Sequence, residues 1–187
     1  AGESTFNPTA DERFVIRNAN PKFTYGLTNT VTYKGITLMV FLEGSKGNEM
    51  LNASRFDTEG MTDPKNQTTT VLRRWKQEGD VTDVPRARWG NTNNSRISDH
   101  FIEDGSYMRI KTLTVSYDFP NNLTEKVQIQ NLRVYFTGEN LLTFTDYSGF
   151  DPEVSAFGGN SQNATNKNTA IGIDYGTYPQ TRNLIFG

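Results

Sequence analysis

The side chains in this sequence that do covalent or acid–base chemistry are few, and their spacing argues against most of it. The single histidine, His100, stands beside Asp99 and close to Glu103 and Asp104 in a chain without cysteine. One imidazole with no thiolate to join it makes no zinc-type ligand set, and His100 reads as a loop residue. Clustered carboxylates attract hard cations, but the spacing of Asp99, Glu103 and Asp104 matches no EF-hand loop and reads as a solvated acidic turn. Gly158-Gly159 lacks the strand-to-helix setting of a phosphate cradle. Asn-x-Ser/Thr sequons at Asn52, Asn66, Asn93, Asn122 and Asn163 are what an asparagine-rich chain generates by chance. No catalytic constellation, metal site or cofactor is expected, and the chain does not read as an enzyme.

The chemistry that remains is recognition. Trp75, Arg86, Arg88, Trp89, Arg96 and Phe101 fall in one stretch among many Asn and Thr. Flat rings stack on the C–H faces of sugars, and Arg, Asn and Asp bond hydroxyls, so an apolar wall with a few placed polar groups makes a ligand pocket. Trp75, Trp89, Arg86, Arg96 and Phe101 are the ligand-binding candidates. A second reading stays open: a long loop needs a small core of its own. The rings would then pack the loop against itself or a partner protein, and the arginines would tie loop to loop.

The elements that must position these residues alternate with a period of two. In 22–34, Phe23, Tyr25, Leu27, Val31 and Tyr33 share one face opposite Thr24, Gly26, Thr28, Thr30 and Thr32. Lys34-Gly35 makes a tight turn, and 36–44 returns with Ile36, Leu38, Val40 and Leu42 in phase, a hairpin. In 107–119, Leu113, Val115, Tyr117 and Phe119 alternate with Thr112, Thr114, Ser116 and Asp118, and Pro120 with Asn121-Asn122 ends the run. A fourth strand is expected over 132–145, with Leu132, Val134, Phe136, Leu142 and Phe144 in phase, and a fifth over 178–187. Residues 1–20 read as a linker. Between the strands lie a tight turn at 34–35, a long loop at 45–105, a short connection at 121–131 and a long loop at 146–177. One helix is expected in the first loop, with Asp63 as N-cap, Pro64 at its first position and 65–76 as its body.

Composition narrows the setting. The 187 residues carry a formal net charge of −2, which gives no electrostatic footprint for nucleic acid. No apolar run approaches the ~20 residues of a membrane helix, so a membrane role would have to use strands. Alternating strands with short turns at one end and long loops at the other suit an up-and-down transmembrane barrel. Its apolar faces would meet lipid, with Tyr25, Tyr33, Tyr117, Phe119 and Phe144 in interfacial girdles. A soluble β-sandwich carbohydrate-binding module would show the same alternation.

Five blocks, in order, carry a resemblance over about residues 15–187. They are 18–26 (NANPKFTYG), 84–86 (VPR), 102–111 (IEDGSYMRIK), 132–145 (LRVYFTGENLLTFT) and 147–154 (YSGFDPEV), the last followed by 173–179 (IDYGTYP). The chain thereby resembles the SusC/RagA family of TonB-dependent outer-membrane transporters of Bacteroidetes. The resemblance implies an all-β fold: an antiparallel meander forming the C-terminal strands of a barrel of about 22 strands, with long extracellular loops. It further implies import of a glycan or oligopeptide, a SusD-like surface lipoprotein as partner, and drive from TonB through a plug region outside this chain. The family pattern ends on a terminal aromatic a few residues beyond Gly187, so a truncated segment is expected.

Overall fold

The computed structural model describes residues 14–15, 17–90, 92–153 and 171–187; Gly158-Gly159 and the Asn163 sequon lie outside them. The chain divides into two compact units. One is formed by residues 20–48, 104–154 and 178–187, the other by 1–19, 49–103 and 155–177.

The first unit is a sheet. Its strands are β1 (Phe23–Tyr33), β2 (Ile36–Lys46), β5 (Tyr107–Asp118), β6 (Arg133–Thr145) and β8 (Asn183–Phe186). They lie side by side in that order, each antiparallel to the next. The β1–β2 hairpin is closed by Lys34 (φ 47°) and Gly35 (φ 85°), the two left-handed residues of a twist-matched two-residue turn. A Cβ on Gly35 would also stand 2.8 Å from the Asp118 carbonyl oxygen.

Register follows the alternation of side chains. Tyr33, Ile36, Tyr117 and Val134 lie in one cross-strand row, and Val31, Leu38, Val115 and Phe136 in the next. All of these project on one face. The opposite rows are largely threonine, with Thr30, Thr114 and Thr137 sharing one row with Met39 and the Thr114 and Thr137 hydroxyls bonded at 2.9 Å. Leu27, Val31, Ile36, Val134, Leu142 and Phe186 are exposed. An apolar face this exposed is not the covered interior that a sandwich requires.

One irregularity breaks the strict alternation expected across 107–119. Phe41 and Leu42 are adjacent on β2, but their β5 partners, Thr112 and Ile110, have Lys111 between them. On β6 the matching partners, Glu139 and Leu142, have Asn140 and Leu141 between them. Each strand therefore carries one more residue than its neighbour at this level, a double bulge with Asn140 left-handed at φ 52°. Parity switches in β5, so Tyr107 and Arg109 join the polar face. It returns in β6, where the extra residues number two.

The last strand is shorter than the expected 178–187. The Gln180 N–H bonds the Asp151 carboxylate and the Thr181 carbonyl accepts from Asn140, so this stretch spends its backbone on side chains before β8 begins. The connection 121–131 contains a one-turn helix, α2 (Asn121–Thr124), and a further 3₁₀ turn.

The second unit is built differently. It contains β3 (Glu49–Asn52), α1 (Ser54–Glu59), several 3₁₀ turns, β4 (Ile102–Asp104) and β7 (Ile173–Asp174), with small-sheet order β4-β3-β7. Met61, Val71 and Val84 form its buried cluster. The helix expected over 65–76 is absent; Thr69–Arg73 forms only a 3₁₀ turn. A helix would send the Thr68 N–H to Pro64 and the Trp75 N–H to Val71. Those donors go instead to the carbonyls of Thr58 (3.1 Å) and Val84 (3.0 Å). The run Thr68-Thr69-Thr70-Val71 is β-branched and weakly helical, so tertiary partners win.

Candidate functional site

Two polar constellations are candidates, one in each unit. In the sheet unit the double bulge brings Arg109 onto the polar face, where it is 1 % exposed. Its Nη2 donates to Asp151 Oδ1 at 2.5 Å, its Nη1 to Glu153 Oε2 at 2.8 Å and its Nε to Thr143 Oγ1 at 2.9 Å. Lys111 pairs with Glu43 at 2.8 Å and Glu153 at 3.3 Å. Asp151 also accepts the backbone N–H groups of Glu153 and Gln180. Two cations thus face three carboxylates, and the segment after β6 is fastened down on the polar face. A desolvated charge is tolerable only when paired, and each of the three carboxylates here has a cation within 3.3 Å. This arrangement is a buckle.

Sequence reasoning assigned none of these residues a role. The signal was present in the Asp151-Pro152-Glu153 run and in Arg109 and Lys111, all inside the blocks that carry the resemblance. What pairs them is the bulge, which no periodicity announces.

Where the long excursion leaves the sheet, it is drawn closed. The Gly105 N–H donates to the Asn48 carbonyl at 2.9 Å, Asn48 Nδ2 to the Gly105 carbonyl at 3.0 Å, and Ser45 Oγ to Asn48 Oδ1 at 2.8 Å. Its two strands are thereby held at a fixed spacing.

In the loop unit a cleft of ≈ 1150 Å³ is lined by Trp75, Arg86, Arg88, Arg96, His100 and Phe101, among others. Four of the five ligand-binding candidates therefore meet there, and Trp89 does not line it. Trp89 is 77 % exposed. Phe101 is 2 % exposed and stands edge-on to Phe56, with centroids 4.7 Å apart, so it is core. The guanidinium carbon of Arg86 stands 5.7 Å from the centre of the Trp75 ring. Asn94 holds the segment in place, its Nδ2 donating at 3.0 Å to the carbonyls of both Gly60 and Arg86. Arg88, which is not one of the five ligand-binding candidates, anchors its own N–H on the Met61 carbonyl.

Beneath the cleft, Arg55 ties α1 to its surroundings. It donates to Glu59 at 2.9 Å, to Glu103 at 3.0 Å and to the His100 carbonyl at 3.0 Å. Burial works against its charge, but Glu59 and Glu103 more than offset that and hold its pKa above the ordinary arginine value. His100 lies 3.7 Å from Glu59, and no metal-holding cluster occurs among the described residues. No helix is long and apolar enough to cross a membrane, which leaves strand crossing open.

Comparison with known proteins supplies the family. No family model matches the sequence. TonB-dependent receptor P3 of Formosa agariphila is 37% identical over 179 residues, 96% of this chain and 17% of the relative. TonB-dependent receptor SusC of Bacteroides thetaiotaomicron is 23% identical over 184 residues, 97% of this chain and 16% of the relative. Among solved structures, the RagAB peptide importer in its closed-closed state superposes with a TM-score of 0.78 at 27% identity, covering 97% of this chain and 18% of that one. The chain thus spans less than a fifth of the length of each of these relatives. Along nearly its whole length, and with a sheet of one polar and one exposed apolar face, the chain is homologous to a segment of the TonB-dependent receptors of the SusC and RagA kind.

Proposed function

We propose that this chain is a C-terminal barrel segment of an importer that carries an oligopeptide nutrient across the outer membrane. Transport is driven by TonB acting on a plug elsewhere in the protein, and a SusD-like lipoprotein shares in capture at the surface. The observation that supports this best is the five-stranded sheet itself, whose two faces suit two solvents and whose backbone matches the RagAB peptide importer. The apolar rows suit hydrocarbon, and the Thr-rich rows suit a wet lumen.

Between the two nutrient classes that the family resemblance implies, the cleft favours peptide over glycan. A sugar platform needs an open aromatic face. Here Phe101 is buried, Trp75 carries Arg86 and Trp89 is outside the cleft. The test is uptake of labelled oligopeptides and oligosaccharides by cells expressing the full-length receptor, with and without TonB. TonB-dependent peptide uptake that disappears with the receptor is expected. Uptake of oligosaccharide alone would overturn the peptide assignment, and receptor-independent uptake of both would overturn the importer reading.

A further inference from the structure

We propose that the cleft of the loop unit is an oxyanion site selective for acidic oligopeptides, with Arg86 and Arg88 as the fork that takes a carboxylate of the ligand. This rests on the oligopeptide reading above and goes beyond it in naming the charge of the preferred substrate.

The arginines of this chain are used unevenly. Arg17, Arg55, Arg73, Arg109 and Arg133 each hold a carboxylate within 3.3 Å. Arg86 and Arg88 hold none among the described residues, although both line a cleft large enough for a ligand. The one carboxylate in that lining, Asp83, is committed to Arg73 at 3.0 Å.

Their backbone is nevertheless fixed at several points. Asn94 clamps the Arg86 carbonyl, the Arg88 N–H is held by Met61, and the Trp75 N–H bonds Val84 just before Pro85. A pair of guanidinium groups on an anchored stem, two residues apart and without counter-ions, is preorganised for a planar oxyanion. The Trp75 ring stands beside the Arg86 guanidinium as a cation–π partner. Pro85 and the exposed Ile97 add apolar wall for neighbouring side chains of the ligand. Arg96 and His100 also line the cleft.

The experiment uses the full-length receptor in detergent, titrated with tetraglutamate, tetraalanine and tetragalacturonate, with the variants R86Q/R88Q and R86K/R88K beside wild type. Tighter binding of tetraglutamate than of tetraalanine is expected in wild type, with the preference shrinking as salt rises. R86Q/R88Q is expected to weaken tetraglutamate binding by about tenfold to a hundredfold, the loss of charge-assisted hydrogen bonds. Tetraalanine binding should stay unchanged, which also shows the variant to be folded. R86K/R88K, with charge but no fork, should fall between. Equal tetraglutamate affinity in wild type and R86Q/R88Q, with tetraalanine still bound, overturns the cleft assignment and leaves the oligopeptide reading standing. Binding of tetragalacturonate alone overturns both.

Discussion

The sheet unit and the loop unit solve the same problem, how to satisfy a polypeptide backbone, in opposite ways. In the sheet the ladder does nearly all of it. β2 and β5 pair from Ile36↔Tyr117 to Ser45↔Tyr107 with one shift, and side chains enter only at the bulge and the strand ends. Among its described residues the loop unit has strands of two to four residues and one six-residue helix. Its carbonyls and N–H groups are met by side chains and by irregular cross-chain bonds: Asn94 to Gly60 and Arg86, Ser95 to Phe56, Ser54 to Gly176. The difference follows from solvent. A strand facing hydrocarbon has no water to fall back on, so every group must be paired by the ladder. A loop in water can leave some groups to solvent, and is free to spend its side chains on shape.

The comparison is broken most severely at the buckle, where the sheet departs from its own rule and relies on side chains. Arg109→Met would leave Asp151 without its buried counter-charge and Glu153 with Lys111 alone. Removing one partner of such a pair costs about 3–5 kcal/mol. In the full-length receptor this is expected as a lowered temperature for the loss of heat-resistant migration on a gel. Arg109→Met together with Asp151→Leu should recover part of the loss, because no orphaned carboxylate is then left at that position. An unshifted transition in the single variant would mean that the polar face is wet enough at this level to screen both acids.

A second, smaller effect separates the two faces of one strand. Leu113 and Thr114 are neighbours on β5, in rows with Val40 and Gly138 and with Met39 and Thr137 respectively. Leu113→Arg puts a cation on the bilayer-facing row and is expected to cost about 2–4 kcal/mol near the midplane. Thr114→Arg puts the same cation on the polar face and forfeits little beyond the Thr137 hydrogen bond, about 1 kcal/mol. Assembly yield and thermal stability of the two variants in the full-length receptor measure the gap. Equal penalties would mean that both faces see the same medium.

What the sequence made legible divides along the same line. The apolar faces of β1 and β2 and the Lys34-Gly35 turn were readable because a period of two is imposed by geometry and the turn by a left-handed pair. The parity switch at Lys111 was not, since a bulge inserts residues without a compositional mark; Asn140 in the left-handed region is its only local hint. In the loop unit the aromatic and arginine candidates of the cleft were visible as residue types, but their division into core (Phe101), shelf (Trp75) and exposed surface (Trp89) depends on contacts. The helix expected from Asp63-Pro64 failed because Thr58 and Val84, distant in sequence, take the N–H groups it needed. The Arg55–Glu59 spacing of four, which supports α1, was the available signal for the helix that does form.

The smallest expected effect lies in the loop unit, in the Asp57–Lys65–Tyr175 triad. Asp57 accepts from Lys65 at 2.5 Å and from the Tyr175 hydroxyl at 2.6 Å, a link spanning 118 residues of sequence. Lys65, then Tyr175, hold the Asp57 carboxyl below the ordinary aspartate range, while the bond to Asp57 raises the Tyr175 hydroxyl above its own. The two signs differ. A depressed carboxyl contributes stability that is present above its unfolded pKa of about 4 and is lost as pH falls through the lower folded value. A raised phenol contributes stability that is full below about pH 10 and is lost as pH rises through its higher folded value. The loop unit should therefore be most resistant to protease across the neutral range and open at both limits, modestly, because the triad is exposed and screened. Asp57→Asn is expected to flatten the acid limb and Tyr175→Phe to weaken the alkaline one, while the sheet unit's thermal transition at neutral pH stays where it was. Parallel protease–pH profiles for wild type and Asp57→Asn would show that the link does not hold the loop. A shift in the sheet's own transition would show that the two units do not keep their stabilities separate.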